Sequence, residues 1–443
     1  MSAQYFWRWA KLTGWVALIM LLLALQACGG NDNNNFSPNG NGGNVSTNRA
    51  VAFSGSVLFV KGGNLLVLHG KDESVTALTS NGSAFQPSVS PTGSTIAFEL
   101  RAPGSDYSDL ATMPLGGGSA TLHTYDRLLC KCDPDKSGVF HYQFWVGNPI
   151  WTADGKQLIY LSDFYKGGRQ QGLANQTCTY YSQNDSIQDL GIVEEPASAQ
   201  PIPAISATGQ VNWPDRPKQL SWPYCYAGGD QDLSLRPGVS DTEILFTSFR
   251  YVGNNDVVAA QISLLIIPND GSPSRIIQLS PPDPNAVLLE PSWSPDGRYI
   301  TYIRRASGQD NLYIMPVDAT IQNGTPNMLD NGLPEKYTLE GGSSTTYYTN
   351  MSYYAASQKL ASGIIGQPAW GGQNQLFFVE FENNAFNLYL AKVKFSASTP
   401  GAAATPGATA TPGSAPAITL DGAPKQLTQN GIDGGSRPVW LNA

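Results

Sequence analysis

The chain has 443 residues, a net charge of −8 and only 14% charged residues, alongside Gly 46, Pro 31, Tyr 20 and Phe 16. That balance argues against nucleic acid as a partner and against capture of an anionic membrane by a basic patch, because both need clustered cations. The Gly, Pro and aromatic content, without a long stretch of helical period, reads as an all-β chain.

Residues 1–27 read as an export signal. Arg8 and Lys11 give a positive start, and residues 14–25 form an uncharged apolar run. The run is shorter than the roughly 20 residues that span a bilayer. It ends Leu25-Gln26-Ala27-Cys28, which resembles a bacterial lipoprotein signal in which Cys28 is lipidated and becomes the new N-terminus. An ordinary cleaved signal and an uncleaved anchor are the alternatives. Gly29 rather than Asp follows the Cys, so the expected destination is the outer membrane of a diderm host, or otherwise the outer face of the plasma membrane. Removing residues 1–27 takes away Arg8 and Lys11 and no acid, which changes −8 to −10. Residues 28–50 are Gly/Asn-rich and nearly free of apolar side chains, a flexible tether with a reach of about 25–30 Å.

The folded part opens with two β runs, Ser56-Val57-Leu58-Phe59-Val60 and Leu65-Leu66-Val67-Leu68, that no motif introduces. A short motif then recurs. Pro87-Ser88-Val89-Ser90-Pro91-Thr92-Gly93 leads into Thr95-Ile96-Ala97-Phe98, and Pro149-Ile150-Trp151-Thr152-Ala153-Asp154-Gly155 into Leu158-Ile159-Tyr160-Leu161. Pro237-Gly238-Val239-Ser240-Asp241 precedes Ile244-Leu245-Phe246. The fullest copy is Pro291-Ser292-Trp293-Ser294-Pro295-Asp296-Gly297, followed by the alternating run Tyr299-Ile300-Thr301-Tyr302-Ile303. Pro368-Ala369-Trp370-Gly371-Gly372 leads into Leu376-Phe377-Phe378-Val379, and Pro438-Val439-Trp440-Leu441 ends the series with no strand after it. Asp-Gly between two β runs is a hairpin signal, since Gly takes positive φ without steric cost. One such meander cannot bury its faces alone, and six starts imply a ring of them.

These copies resemble the TolB-like Pro-Asp-repeat β-propellers, whose repeat reads roughly Pro-x-Trp-Ser-Pro-Asp-Gly. The resemblance spans residues 51–443, with one full match at residues 291–297. Elsewhere the copies are eroded: Thr92 stands for the Asp, Thr152-Ala153 follows Trp151, and Gly371-Gly372 replaces Pro-Asp. The expectation is a six-bladed β-propeller of four-stranded antiparallel blades, with Trp151, Trp293, Trp370 and Trp440 packed between blades. The resemblance also implies a scaffold for protein contacts, appended in some members to a hydrolase. Because the first strands lack a start and the last start lacks strands, both belong in one blade, with the C-terminus as its innermost strand.

The starts lie 54 to 88 residues apart, more than the about 40–45 a minimal blade needs, so several blades carry insertions. Residues 124–146, 206–232 and 335–364 read as blade connections and residues 163–186 as a second turn, which puts all four on one face. The Asp-Gly turns, the tether and the low-complexity loop 396–418, with its Thr-Pro-Gly repeats, fall on the other. The decorated face holds Cys130, Cys132, Cys178 and Cys225. An even number of exported cysteines suggests two disulfides, and the strain of a Cys130–Cys132 ring favours each of these pairing with Cys178 or Cys225. Zinc on Cys130, Cys132, Asp133 and His141 is the weaker alternative. The same face carries two aromatic groups as a candidate binding surface: Tyr180, Tyr181, Trp213, Trp222, Tyr224 and Tyr226, and then Tyr337, Tyr347, Tyr348, Tyr353 and Tyr354.

Little points to catalysis. The chain has three His (His69, His123, His141) and no Gly-x-Ser-x-Gly elbow. Asp109, Asp163 and Asp310 read as turn or solvated residues, and Glu380 and Glu382 as solvent-facing. No cofactor or metal is expected. The expected function is a lipid-anchored, monomeric binding or scaffold protein for a protein or glycan partner at the cell envelope, with an exported glycan-active lyase or hydrolase as the alternative.

Overall fold

The computed structural model describes residues 45–47, 51–101, 105, 107–124, 127–130, 140–164, 170–171, 177–178, 189–198, 204–205, 211–212, 217–221, 223, 227–252, 257–329, 331–339, 343–372, 374–396 and 417–442. Among them, six sheets of four or more strands stand in chain order. Blade 2 runs Ala84–Val89, Thr95–Leu100, Asp109–Pro114, Thr121–Leu122; blade 3 runs Val146–Trp151, Gln157–Ser162, Gly191–Pro196, Lys218–Gln219. Blade 5 runs Val287–Trp293, Tyr299–Ala306, Gln309–Pro316, Gln358–Gly363, and blade 6 runs Ile365–Trp370, Gln375–Glu382, Ala385–Phe395, Ile418–Leu420 with Lys425–Gln426 beside it. Blade 4 starts with Asp230–Leu235, Thr242–Val252, Val257–Ile267 and Ser274–Gln278.

Blade 1 is made from both ends of the chain. Ser56–Lys61, Asn64–His69 and Val75–Ala77 supply its outer three strands, and Val439–Leu441 pairs antiparallel with the first of these, Ser56 opposite Leu441. Gly55 permits this seam. Its φ is +83°, and a Cβ there would stand 2.5 Å from the Leu441 carbonyl oxygen. The Trp440 indole donates to the Ser54 carbonyl at 3.0 Å.

Local chemistry sets each meander. In blade 5, Asp296 accepts from the Ser294 hydroxyl (2.6 Å) and the Arg298 N–H, while Ser294 Oγ accepts the Tyr299 N–H, and Gly297 sits at φ +65°. Thr152, Asp154 and Lys156 repeat the device in blade 3. The strands that follow are buried on both faces, because each sheet is covered by a neighbour on either side. Apolar clusters fill every junction: Phe59 and Leu66 of blade 1 pack with Phe377 and Leu388 of blade 6, Leu58 of blade 1 with Phe98 of blade 2, and Tyr160 of blade 3 with Leu110 of blade 2. The series continues with Ile159 against Phe246, Ile262 against Tyr302, and Ile314 against Phe378. Trp151, Trp293 and Trp370 are buried in these junctions as expected, and Trp440 is half-buried against the blade 6 side.

Two expectations need correction. Pro237 does not begin an inner strand; Asp230–Leu235 does, and Arg236-Pro237-Gly238 occupies the turn where Pro295-Asp296-Gly297 sits in blade 5. Of the insertion read as a blade connection at residues 335–364, residues 335–357 belong instead to the last turn of blade 5, residues 317–357. Its strand Ser344–Thr349 adds in parallel to Ser274–Gln278, widening blade 4 to seven strands, so that of the six blades this one is not purely antiparallel. Unpaired N–H and C=O groups on an outer strand accept a further strand readily, which favours this docking. Among the described residues of that stretch, helix forms over Ser352–Ala355, and Gln358–Gly363 is a strand.

In each blade the first and third turns share one rim, the turn rim. The second turns and the blade-to-blade connections share the other, the connection rim. The chain reaches Ser56 from the turn rim.

Candidate functional site

Every inner strand of blades 2 to 6 carries a register shift, and at each shift stands a polar residue with positive φ: Gln86 (+46°), Asn148 (+50°), Asp232 (+61°), Glu290 (+57°) and Gln367 (+52°). A left-handed non-glycine residue costs on the order of 1 kcal/mol or more, so five in register mark an imposed geometry. Their side chains join consecutive blades around the ring centre. Gln86 Oε1 accepts the Asn148 N–H (2.5 Å), and Asn148 Oδ1 accepts the Leu233 N–H (2.5 Å). Asp232 accepts the Glu290 N–H at 2.9 Å, and Glu290 accepts both the backbone N–H and the side-chain amide of Gln367. Ser436 Oγ, just ahead of the closing strand, accepts the Gln86 N–H at 3.2 Å.

The sixth blade position breaks the pattern. Arg437 holds donors where the others hold acceptors, and its guanidinium crosses from blade 1 to the far side of the ring. Nη1 donates to the Leu233 carbonyl of blade 4 at 3.0 Å, and Nη2 to the Pro291 carbonyl of blade 5 at 3.1 Å. Burial pushes the Asp232 and Glu290 carboxyls upward; Asp232 raises Glu290 further, while the positive charges of Arg437 and Arg305 oppose the rise at both. Burial depresses Arg437, against the pull of Asp232 and Glu290. Arg305 is itself held by Asp310 at 2.7 and 3.0 Å.

Other acids are buried near the connection rim. Asp230 is lifted to about 7 by burial while accepting the Ser221 hydroxyl, and Glu99 is lifted to about 7 by burial beside Arg101. Asp163 is buried and accepts the Trp145 N–H at 2.7 Å. The reading of Asp163 and Asp310 as solvated turn residues is therefore corrected, as is that of Glu380, which is half-buried and raised by burial. In a propeller the strand ends face a neighbouring blade rather than water. His123 is buried with Nε2 2.8 Å from Thr112 Oγ1, and His69 lies between Ser56 and Thr76 hydroxyls.

The second aromatic group does not form the expected surface. Tyr347 and Tyr353 are buried, and Tyr348 and Tyr354 pack against the blade 4–5 core, because the insertion lies along the outer edge of blade 4 rather than on a rim. Arg250 stacks over Tyr347 (5.0 Å) and pairs with Glu335 at 2.6 Å. Cys28, Cys132, Cys225, Tyr180, Tyr181, Trp213, Trp222, Tyr224 and Tyr226 lie outside the described residues, as do the side chains of Cys130, Cys178 and His141 and the loop 397–416. The backbone of residue 178 falls in the second turn of blade 3, on the connection rim.

Large apolar side chains are exposed at five described positions. Three belong to the connection rim: Val257 (39%), Ile364 (48%) and Phe381 (36%). Ile364 and Phe381 are cross-strand neighbours, the Phe381 N–H donating to the Ile364 carbonyl at 2.9 Å, and Phe386 supports the Phe381 ring at 5.0 Å. Met328 and Leu333 sit on a lateral hairpin of the blade 5 insertion.

No family model matches the chain, and no curated protein matches it by sequence. Solved structures with a similar fold include a TolB candidate from Agrobacterium tumefaciens, 11% identical over 88% of this chain and 94% of that one, with a TM-score of 0.40. Kuenenia stuttgartiensis hydrazine synthase is 11% identical over 76% of this chain and 44% of its own, with a TM-score of 0.44. An oligogalacturonate lyase in complex with manganese is 12% identical over 78% and 81%, with a TM-score of 0.37. At such identities the likeness concerns fold alone, and the continuous ring of blade junctions decides the matter. The fold is a β-propeller. Among the described residues of this propeller, no group of three His, Cys, Asp or Glu is placed to hold a metal ion, and no helix is long and apolar enough to cross a membrane.

Proposed function

We propose that this propeller is a lipid-anchored, extracytoplasmic binding protein that presents its connection rim to a protein or glycan partner at the cell envelope. The observation that carries this reading is the placement of Val257, Ile364 and Phe381 on one rim, the rim opposite the side from which the chain enters blade 1. Exposed aromatic and aliphatic groups clustered on a rigid scaffold are the usual anchors of an interface. An anchor through Cys28 and the tether leaves that rim facing away from the bilayer. The enzyme alternative would need open acids. Asp230, Asp232 and Glu290 instead accept hydrogen bonds from the fold itself.

The test is capture from detergent-solubilised envelope and from a glycan array by residues 28–443, wild type against the Ile364→Glu, Phe381→Glu double variant. Charged rims should reduce capture at least about tenfold without changing the melting temperature. Equal capture by both proteins would remove the rim assignment. Mass spectrometry of the N-terminal peptide from membrane extracts checks the anchor, with an acylated Cys28 as the expected species.

A further inference from the structure

We propose that the ring centre is a guanidinium-binding site occupied in cis by Arg437, so that the propeller is closed at the level of its polar belt by its own C-terminal segment. Three observations carry this. First, the site offers acceptors: the Leu233 and Pro291 carbonyls, from adjacent blades, meet two separate nitrogens of one planar group at 3.0 and 3.1 Å. Both carbonyls follow directly on the left-handed residues Asp232 and Glu290, so the same backbone shift that builds the belt turns them inward. Secondly, two carboxylates, Asp232 and Glu290, supply the compensating negative field, and both spend their own hydrogen bonds on the belt rather than on the cation. Thirdly, Arg437 Nε is buried without an acceptor. Recognition therefore rests on the two outer nitrogens, which a free guanidinium ion possesses equally.

A planar, forked donor suits two fixed carbonyls better than an ammonium, which presents a compact charge on a flexible stem. The site thus selects the guanidinium class, whether as the ion or as an arginine side chain. In the intact protein it is filled, which leaves partners the rim rather than the channel. The inference stands apart from the rim assignment, since a failure at either place leaves the other unaffected.

The experiment uses Arg437→Ala and Arg437→Lys in the full exported chain, followed by thermal melting in about 20 mM guanidinium chloride or about 20 mM sodium chloride, concentrations far below denaturing ones. Arg437→Ala should melt about 5 °C or more below wild type in sodium. Guanidinium should recover at least about 2 °C of that loss, and should leave wild type, whose site is full, unchanged or slightly lower. Arg437→Lys should melt between the two and gain less from guanidinium. If Arg437→Ala does not fold, the readout becomes its refolding yield in the two salts, with a higher yield in guanidinium expected. Identical melting or refolding of the Ala variant in both salts would overturn the site, as would an Ala variant that melts like wild type.

Discussion

Glu195 offers a direct test of how burial governs this fold. It lies on the third strand of blade 3, 7% exposed, with Oε2 accepting the Tyr160 hydroxyl at 2.8 Å and Oε1 buried without a partner. Burial is the leading cause that raises its carboxyl from 4.5 to about 7, and the Tyr160 hydrogen bond opposes it. Because the folded state binds this proton more tightly than the unfolded chain, Glu195 favours folding below about pH 4.5, and that contribution is lost as pH rises towards 7. A shift of this size corresponds to about 3 kcal/mol at pH 8, where the carboxylate is ionised. Glu195→Gln keeps the shape and the acceptor for Tyr160 while mimicking the protonated form. Urea denaturation at pH 8 should show the variant more stable by about 2–3 kcal/mol, and at pH 5 by less than about 1 kcal/mol. Equal stability at pH 8, or an advantage that does not shrink on acidification, would refute the reasoning. Glu99 and Asp230 are raised for the same leading reason, so wild type itself should gain stability between pH 8 and pH 5.5.

Deleting residues 438–443 leaves Arg437 in place but removes the closing strand, the buried Leu441 and the Trp440 contacts with Ser54 and the blade 6 core; the expected loss is about 5 kcal/mol, and a truncated protein that melts like the parent would exclude the closure. Arg236 is buried, pairs with Glu243 at 2.9 Å, donates to the Gly297 and Asp318 carbonyls and stacks over Trp293 at 4.8 Å. Arg236→Leu should therefore cost about 3–5 kcal/mol in denaturant titration by leaving Glu243 charged and unpaired, and the double variant with Glu243→Leu should recover part of it.

The blade unit was legible in the amino-acid order because its causes are local. Asp296 and Gly297 make their turn with atoms two to five residues away, and period-two runs such as residues 299–303 form strands whatever lies beside them. Closure by Pro438 to Leu441 was legible too, since a chain with a start but no strand at one end and strands without a start at the other has one economical pairing. The belt had a faint trace: in five blades the residue at its position directly precedes the repeat proline, as Gln86, Asn148, Glu290, Gln367 and Arg437 do. In blade 4 the absence of that proline hid Asp232 and shifted the reading to Pro237.

Sequence alone thus determined the β class, the repeat, the turns and the seam, all of which follow from hydrogen bonds and periodicity within a few residues. Only the tertiary structure decided what meets at the centre and at the edges. Arg437 and Leu233 are 204 residues apart and Arg437 and Pro291 146. Neither contact leaves a local signature, because nothing in the order of residues around Arg437 points to two backbone carbonyls so far along the chain. The strand Ser344–Thr349 could equally have closed its own blade, and it joins blade 4 because Ser274–Gln278 leaves an edge open beside it. The depth of Glu195, Asp230 and Glu290 likewise depends on which blade covers them, and burial of a carboxylate is a property of that neighbour rather than of the residue.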